Sequence, residues 1–246
     1  MDYSNVIKKV KNSIAFIAVF NNKNELLGTG SGFIYLKKNI LVTCNHVVKD
    51  GSSIALRFPS SGKYITGKVV IRDDEHDLAL VSFDDSSREP LMNSKYETVI
   101  EGMPVIFSGY PFSAQSLTTH QGIISAIIKD VAGITSFLID GTVNSGNSGC
   151  PLMNVKGEVI GVVSAKRRNR NNLLEKVESM TIGALSLHGV DIVEIYQALI
   201  NNVQLGVGFA VPAIYIPEHK GKIKLEHEIQ PKIENRKITK EKIRKK

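Results

Sequence analysis

The chain has 246 residues, of which 42% are hydrophobic and 22% are charged, and its formal net charge at pH 7 is +7. These proportions are ordinary for a soluble globular protein and allow one large domain or two small ones. No uncharged apolar run approaches the roughly 18 to 20 residues that a membrane-spanning helix needs, so we expect no transmembrane segment.

The N-terminal stretch is predicted to form a short helix and then a strand. Lys8, Lys9 and Lys11 precede the apolar run "IAFIAVF" (14–20), which faintly resembles a secretory signal. That run lacks a small-residue cleavage site and ends in "NNKN", so we interpret residues 3–11 as a helix and the run as the first strand. Only two cysteines are present, too few for a disulfide framework, and a cytoplasmic location is expected.

Short apolar stretches recur along the rest of the chain and predict an all-β fold. Most have five to eight residues, are rich in Val and Ile, and are separated by Gly, Pro, Asn or Asp. This pattern is typical of a barrel or sandwich, because the spacing is too tight for crossover helices between parallel strands. In chain order the stretches are "SIAFIAVF", "GSGFIYL", "ILVTC", "SIALRF", "GKVVI", "LALVSF", "PVIFSG", "GIISAII", "SFLID", "GEVIGVVSA" and "GVGFAVPA".

Two segments depart from the strand pattern. The stretch "HGVDIVEIYQALINN" (188–202) has apolar residues at helical spacing, with Asp191 placed to start the first turn, and predicts an inserted helix. The tail from Pro217 to Lys246 has 11 Lys or Arg against 5 Asp or Glu, so it carries +6 of the net charge and the body is nearly neutral. Without a sustained apolar face, this tail is predicted to be a mobile arm or a short helix.

A serine, a histidine and an aspartate in three separate stretches have catalytic potential. Ser148 lies in the uncharged, glycine-rich stretch "GTVNSGNSGCPLM", and its hydroxyl would need a neighbouring base to attack a carbonyl. His46 lies in the polar Asn-His step of "ILVTCNHVV", where the apolar strand ends, and Asp77 opens "DLALVSF", where an acid needs a charged or hydrogen-bonded partner. A buried carboxylate is the best acceptor for holding an imidazole in one tautomer. Taken singly, each residue also fits a structural interpretation as a strand-end histidine, a turn cap or a loop serine.

Together the motifs resemble the trypsin-like serine peptidases, most closely the HtrA (Deg) branch, whose nucleophile is framed as Gly-Asn-Ser-Gly-Gly. The matching stretches follow the family's order across residues 28–213. They are "GTGSGFI" (28–34), "ILVTCNHVV" (40–48), "DLAL" (77–80), "GYP" (109–111), "TTHQGIISA" (118–126), "GNSGCPL" (146–152), "GEVIGVVSA" (157–165) and "GFAVPA" (208–213).

The resemblance implies two six-stranded antiparallel β-barrels of the chymotrypsin type. It places His46 and Asp77 in an N-terminal barrel (1–107) and Ser148 in a C-terminal barrel (108–216), followed by the basic tail (217–246).

The same resemblance implies a serine endopeptidase, with His46 as general base, Asp77 as its orienting carboxylate and Ser148 as the nucleophile that forms an acyl-enzyme. An oxyanion hole is expected in the turn of Gly146, Asn147 and Ser148, where the backbone N–H groups of Gly146 and Ser148 would converge on one point. Glycine permits the required backbone twist. Neither a metal nor a cofactor is implied.

Substrate recognition can also be carried over. The strand after the nucleophile would add an extended substrate as a further strand, at Ser164, Ala165 and Lys166. The pocket behind the nucleophile would have uncharged walls, which favours a small or medium aliphatic residue before the cut. Those walls are expected at Thr142, Val143, Gly208 and Ala210.

Cys150 stands where the family pattern has a second glycine, and it leaves two interpretations open. Cys44 lies two residues before His46 and Cys150 two residues after Ser148, so the matched fold would bring the two thiols into one neighbourhood. They are either buried packing residues between the barrels or a redox-sensitive pair. The Cys150 side chain is also a candidate for crowding the oxyanion turn.

Protein or peptide substrates are the expected partners. The alternative function is a catalytically silent member that binds peptides in its cleft and docks a partner or nucleic acid through the basic tail. Nucleic-acid binding is less favoured, because neither the tail nor the run "KRRNRNN" (166–172) has interleaved aromatic residues. Only 33 residues follow Ala213, too few for the PDZ domain that relatives often carry, and assembly into trimers is left open.

Overall fold

The structure, a computed structural model, describes residues 2–59, 62–113, 116–164 and 207–218, with shorter pieces between 180 and 195. Twelve strands in these ranges form two closed antiparallel barrels of six strands each. The predicted fold class is therefore confirmed. Within the described residues, no helix has the length and apolar character needed to cross a membrane.

The first barrel has the strand order β1-β2-β3-β6-β5-β4 and closes by pairing β4 with β1. Strands β3 and β6 are buried along their whole length, as their mainly apolar sequences predict, whereas β5 exposes much of its surface. The strands of the first barrel are β1 (Ile14–Phe20), β2 (Leu26–Ile34), β3 (Ile40–Cys44), β4 (Ser53–Arg57), β5 (Tyr64–Asp73) and β6 (Leu78–Phe83).

The second barrel has the order β10-β11-β14-β9-β8-β7 and closes by pairing β7 with β10. A separate two-stranded piece, β12 (Ser186–Leu187) with β13 (Val190–Asp191), lies between its last two strands in sequence. The barrel strands are β7 (Pro104–Gly109), β8 (Thr118–Lys129), β9 (Thr135–Asp140), β10 (Pro151–Met153), β11 (Val159–Ser164) and β14 (Val207–Pro212).

The hydrophobic core has three parts. One cluster fills each barrel, and a third joins the two barrels, with Phe16 of β1 packed edge-on against Tyr110 at 5.7 Å between ring centroids.

Few helices accompany the strands. The predicted N-terminal helix is present as α1 (Ser4–Val10), and a second short helix, α2 (Asn45–Val48), follows β3. The helix predicted over 188–202 is wrong at its start, because Val190–Asp191 is a strand. Asp191 does cap the next turn, accepting bonds from the Val193 and Glu194 amides at 2.8 and 3.2 Å, and residues 193–195 are helical. The rest of that predicted helix, and the tail after Glu218, lie outside the described residues.

Candidate active site

His46 is placed by the short helix α2, which begins where β3 leaves the first barrel. The backbone of this helix is tied to Asp77 twice: the Asn45 amide donates to the Asp77 carbonyl oxygen, and the His46 amide donates to Asp77 Oδ1, both at 2.9 Å. These bonds satisfy two amides at a helix start, which have no intrahelical acceptor. The same bonds set the imidazole beside the carboxylate.

Asp77 lies in the turn between β5 and β6 and has a left-handed backbone, with φ of 57°. A residue other than glycine pays about 1–3 kcal/mol for such a conformation, and it persists only where the surroundings hold it. Here three hydrogen bonds hold the conformation: the two bonds from the Asn45 and His46 amides, and a third with the His46 ring. The second carboxylate oxygen, Oδ2, lies 2.6 Å from His46 Nδ1, within a charge-assisted hydrogen bond.

Ser148 lies in a turn held between the two barrels. Its carbonyl oxygen accepts the Ser31 amide of β2 at 2.9 Å, and the next amide, of Gly149, donates to Val163 of β11 at 2.8 Å. The Ser148 hydroxyl oxygen lies 3.0 Å from His46 Nε2. Since Nδ1 donates to the carboxylate, Nε2 of the neutral ring is the acceptor for the serine proton. The structure thus brings together the three residues that the sequence predicted, across 102 positions of the chain.

The turn before Ser148 leaves one amide available. Gly146 has φ of 93°, and the peptide unit that carries its amide is held at the Ser145 carbonyl oxygen, which accepts the Phe112 amide at 2.8 Å. The Gly146 carbonyl oxygen accepts the Ser31 hydroxyl at 2.7 Å, which holds the next peptide unit. Among the described residues, the Gly146 amide donates to no acceptor. The Asn147 amide donates to the Asn144 carbonyl oxygen at 3.0 Å, so Asn147 shapes the turn between the two residues, Gly146 and Ser148, whose amides are the expected oxyanion donors.

A polar network behind His46 was not found by sequence reasoning. Asn45 is buried, and its side chain donates to Asp74 Oδ1 at 2.6 Å and accepts from Arg72 Nη1 at 3.1 Å. Arg72 also donates to the carbonyl oxygen of Val48, the last residue of α2, at 3.2 Å. This network holds the helix that carries His46. The acidic run 73–77 was its only sequence signal, and nothing in that run identifies Asn45 as its partner.

The two cysteines are free and fully buried. Cys44 Sγ donates to the Val163 carbonyl at 3.3 Å, while the Val163 amide donates to the Cys150 carbonyl at 2.9 Å, so both contact the same residue of β11. Burial raises the pKa of both thiols, and for Cys44 the nearby Asp77 carboxylate raises the pKa further. The Cys150 side chain packs in the core of the second barrel.

One group of side chains has the donor types of a metal site. Ligand atoms of Cys44, His46 and Asp77 lie within 4.8 Å of one another. However, His46 Nδ1 is already engaged by the carboxylate at 2.6 Å, and the raised pKa of Cys44 opposes the thiolate that a metal requires. These three side chains therefore fit a hydrogen-bonded pair of His46 and Asp77 next to the neutral Cys44 thiol better than they fit a metal centre.

The residues expected to bind substrate fall in two groups. Ser164 ends β11 and is buried, whereas Ala165 and Lys166 lie outside the described residues. Val143 and Gly208 are brought together: a Cβ at Gly208 would lie 2.2 Å from Val143 Cγ2. The other two expected pocket residues are Thr142, which is partly buried, and Ala210, which is buried in the core of the second barrel.

The sequence profile of the trypsin-like peptidase domain matches residues 30–162. Two curated relatives are the serine protease Do-like HtrA of Lactobacillus helveticus, 33% identical over 201 residues, and that of Bacillus subtilis (strain 168), 35% identical over 152 residues. The matches cover 76% and 56% of this chain but only 48% and 34% of those proteins. The chain therefore spans less than half the length of these relatives.

A solved structure agrees with the architecture. The HtrA-type protease AlgW with tripeptide superimposes with a TM-score of 0.66 at 23% identity, covering 87% of this chain and 60% of that chain. At this identity the match concerns the fold.

Proposed function

Because the chain belongs to the trypsin-like peptidase family, we propose that it is a serine endopeptidase in which Ser148 is the nucleophile, His46 the general base and Asp77 the residue that orients His46. The observation that carries this proposal is the continuous hydrogen-bonded series from Asp77 through His46 to Ser148, with distances of 2.6 and 3.0 Å. Two barrels contribute to the series, so it exists only in the folded chain.

Acylation begins when the Ser148 oxygen attacks the carbonyl carbon of the scissile peptide bond. His46 Nε2 takes the hydroxyl proton, and Asp77 stabilises the imidazolium that forms. The carbonyl oxygen becomes an oxyanion, which the Gly146 amide and the backbone of the Ser148 turn would stabilise. When the carbon–nitrogen bond breaks, His46 gives its proton to the leaving amine, and the acyl group remains on Ser148 as an ester.

Deacylation repeats these steps with water. The water oxygen attacks the ester carbonyl while His46 accepts a proton from the water molecule, and a second oxyanion forms at the same amides. Collapse of that intermediate returns the proton to Ser148 and releases the new carboxyl terminus. The free enzyme is regenerated.

We further propose that substrate pairs as an extended strand with the segment that begins at Ser164, the last residue of β11, and that its side chain before the cut enters a small apolar pocket. The contact of Val143 with Gly208 supports this, because a residue larger than glycine at 208 would meet Val143 at 2.2 Å. A space closed in this way suits small or medium aliphatic side chains, and it has no charge to pair with Lys or Arg.

Digestion of a proteome-derived peptide library tests both proposals, with cleavage sites identified by mass spectrometry. The wild type is expected to produce cleavages after small aliphatic residues, and Ser148→Ala is expected to produce none. Equal cleavage by Ser148→Ala would refute the nucleophile, and cleavage after Lys or Arg would refute the pocket. Peptide binding without cleavage by the wild type would instead support the silent binding module.

A further inference from the structure

A second histidine–aspartate pair lies directly beside Asp77. His76 is the preceding residue in the turn between β5 and β6, and one carboxylate, that of Asp73, binds it twice. Asp73 Oδ1 accepts the His76 amide at 3.0 Å, and Oδ2 lies 2.8 Å from His76 Nδ1. With a side-chain exposure of 17%, the ring is fixed in one orientation.

The fixed ring reaches across to the other barrel. It stacks on Tyr215 with 4.2 Å between centroids and 18° between planes. Tyr215 belongs to the 3₁₀ turn Ala213–Tyr215 that follows β14, and its hydroxyl oxygen accepts the Thr135 amide at the start of β9 at 3.0 Å. Because the turn of Tyr215 directly follows β14 in the chain, the stack itself attaches the turn that carries Asp77 to the barrel that carries Ser148.

We propose that Asp73, His76 and Tyr215 form an inter-barrel clasp and that His76 is a positioning residue for Asp77 in the proposed hydrolysis, on which this inference rests. Asp77 has a left-handed φ of 57° and must hold that conformation to keep its 2.6 Å bond to His46. The clasp restrains the residue directly before Asp77 through contacts that do not involve His46. It also fixes the distance between the barrel of Asp77 and the barrel of Ser148.

The clasp should act on the chemical step. Misplacing a catalytic group by about 1 Å can cost roughly 10²-fold in rate, so a smaller relaxation of the turn predicts a loss of about tenfold. The clasp residues include neither the expected pocket residues Val143 and Gly208 nor Ser164, where the substrate backbone is proposed to pair. Ground-state binding of the substrate, and with it KM, is therefore expected to stay within about twofold.

The test compares kcat and KM of the full chain with those of four variants on one peptide substrate, with the free energy of unfolding measured for each. His76→Ala and Tyr215→Leu remove the stack and are expected to lower kcat about tenfold at nearly constant KM. His76→Phe keeps an aromatic ring on Tyr215 without the Asp73 bond and should recover part of the loss. Tyr215→Phe, the matched control, loses the Thr135 bond but keeps the stack, so its kcat should match the wild type.

Three results would overturn the clasp: His76→Ala with a wild-type kcat, a loss seen mainly in KM, or Tyr215→Phe as damaging as Tyr215→Leu. If His76→Ala does not fold, the comparison of Tyr215→Leu with Tyr215→Phe tests the clasp, because both variants lack the hydroxyl and only Tyr215→Phe keeps a ring that stacks on His76. A wild type without activity, or a Ser148→Ala variant with full activity, would instead refute the proposed function.

Discussion

Replacing Gly146 by alanine should remove the oxyanion donor while leaving the series of Asp77, His46 and Ser148 in place. A Cβ at Gly146 would lie 2.4 Å from the Tyr110 carbonyl oxygen and 3.1 Å from the Phe112 amide nitrogen. The first distance is about 1 Å short of ordinary van der Waals contact, and the obstructing atom is backbone, so the turn must move. We therefore expect the amide of residue 146 to move away from the position in which it could donate to the oxyanion.

Loss of one oxyanion donor costs about 10²–10³ in kcat, or about 2.7–4 kcal/mol of transition-state stabilisation. KM should change little, because the charge on the substrate oxygen develops only in the transition state. Steady-state kinetics on a peptide substrate, together with urea unfolding, measure these quantities.

Gly102→Ala is the matched control for backbone strain. Gly102 has φ of 79°, close to the 93° of Gly146, but a Cβ there would meet nothing within 4 Å. This variant should lose about 1–2 kcal/mol of stability from the left-handed conformation and keep the wild-type kcat. If Gly146→Ala retains a third or more of the wild-type kcat, or if Gly102→Ala loses as much activity as Gly146→Ala, the Gly146 amide is not an oxyanion donor.

Three further outcomes are expected. Asp77→Asn should lower kcat about 10⁴-fold with little effect on folding, because an amide cannot hold the imidazole in the required tautomer; a loss below tenfold in steady-state assays would contradict this. Burial raises the pKa of Cys44 and Cys150, so both should stay neutral thiols that iodoacetamide modifies only after unfolding. Rapid modification of the folded protein at pH 8, or inhibition by a mild oxidant, would support the redox pair instead. Gly208→Ala should meet Val143 at 2.2 Å and narrow the pocket, so kcat/KM should fall more for peptides with valine before the cut than for those with alanine; an equal fall would count against the pocket.

The strands of both barrels could largely be predicted from the sequence, because a strand in a barrel core needs a run of apolar residues. Both β3 and β6 are such runs and are buried throughout. Strand β10 was missed, since its three residues, Pro151–Met153, directly follow the glycine-rich turn and are too short for a periodic pattern. The strand Val190–Asp191 was interpreted as helix, because apolar residues at mixed spacing fit both periods over so short a length.

The three residues of the candidate site could be predicted because His46 and Asp77 stand beside apolar stretches and Ser148 lies in a glycine-rich stretch, each in a motif resembling a known family. Their supporting contacts could not. Asn45 and His76 look like ordinary turn residues in sequence, and their roles depend on Arg72 and Tyr215, which only the folded chain brings near. Long-range side-chain contacts leave no local pattern to detect.

The most direct test of the account is the reaction of the full chain with a fluorophosphonate, followed by mass spectrometry of the segment 141–153. We expect one covalent adduct, on the Ser148 oxygen, that is absent in Ser148→Ala and forms far more slowly in His46→Ala. An adduct on a different residue, or labelling of Ser148→Ala at the wild-type rate, would contradict it.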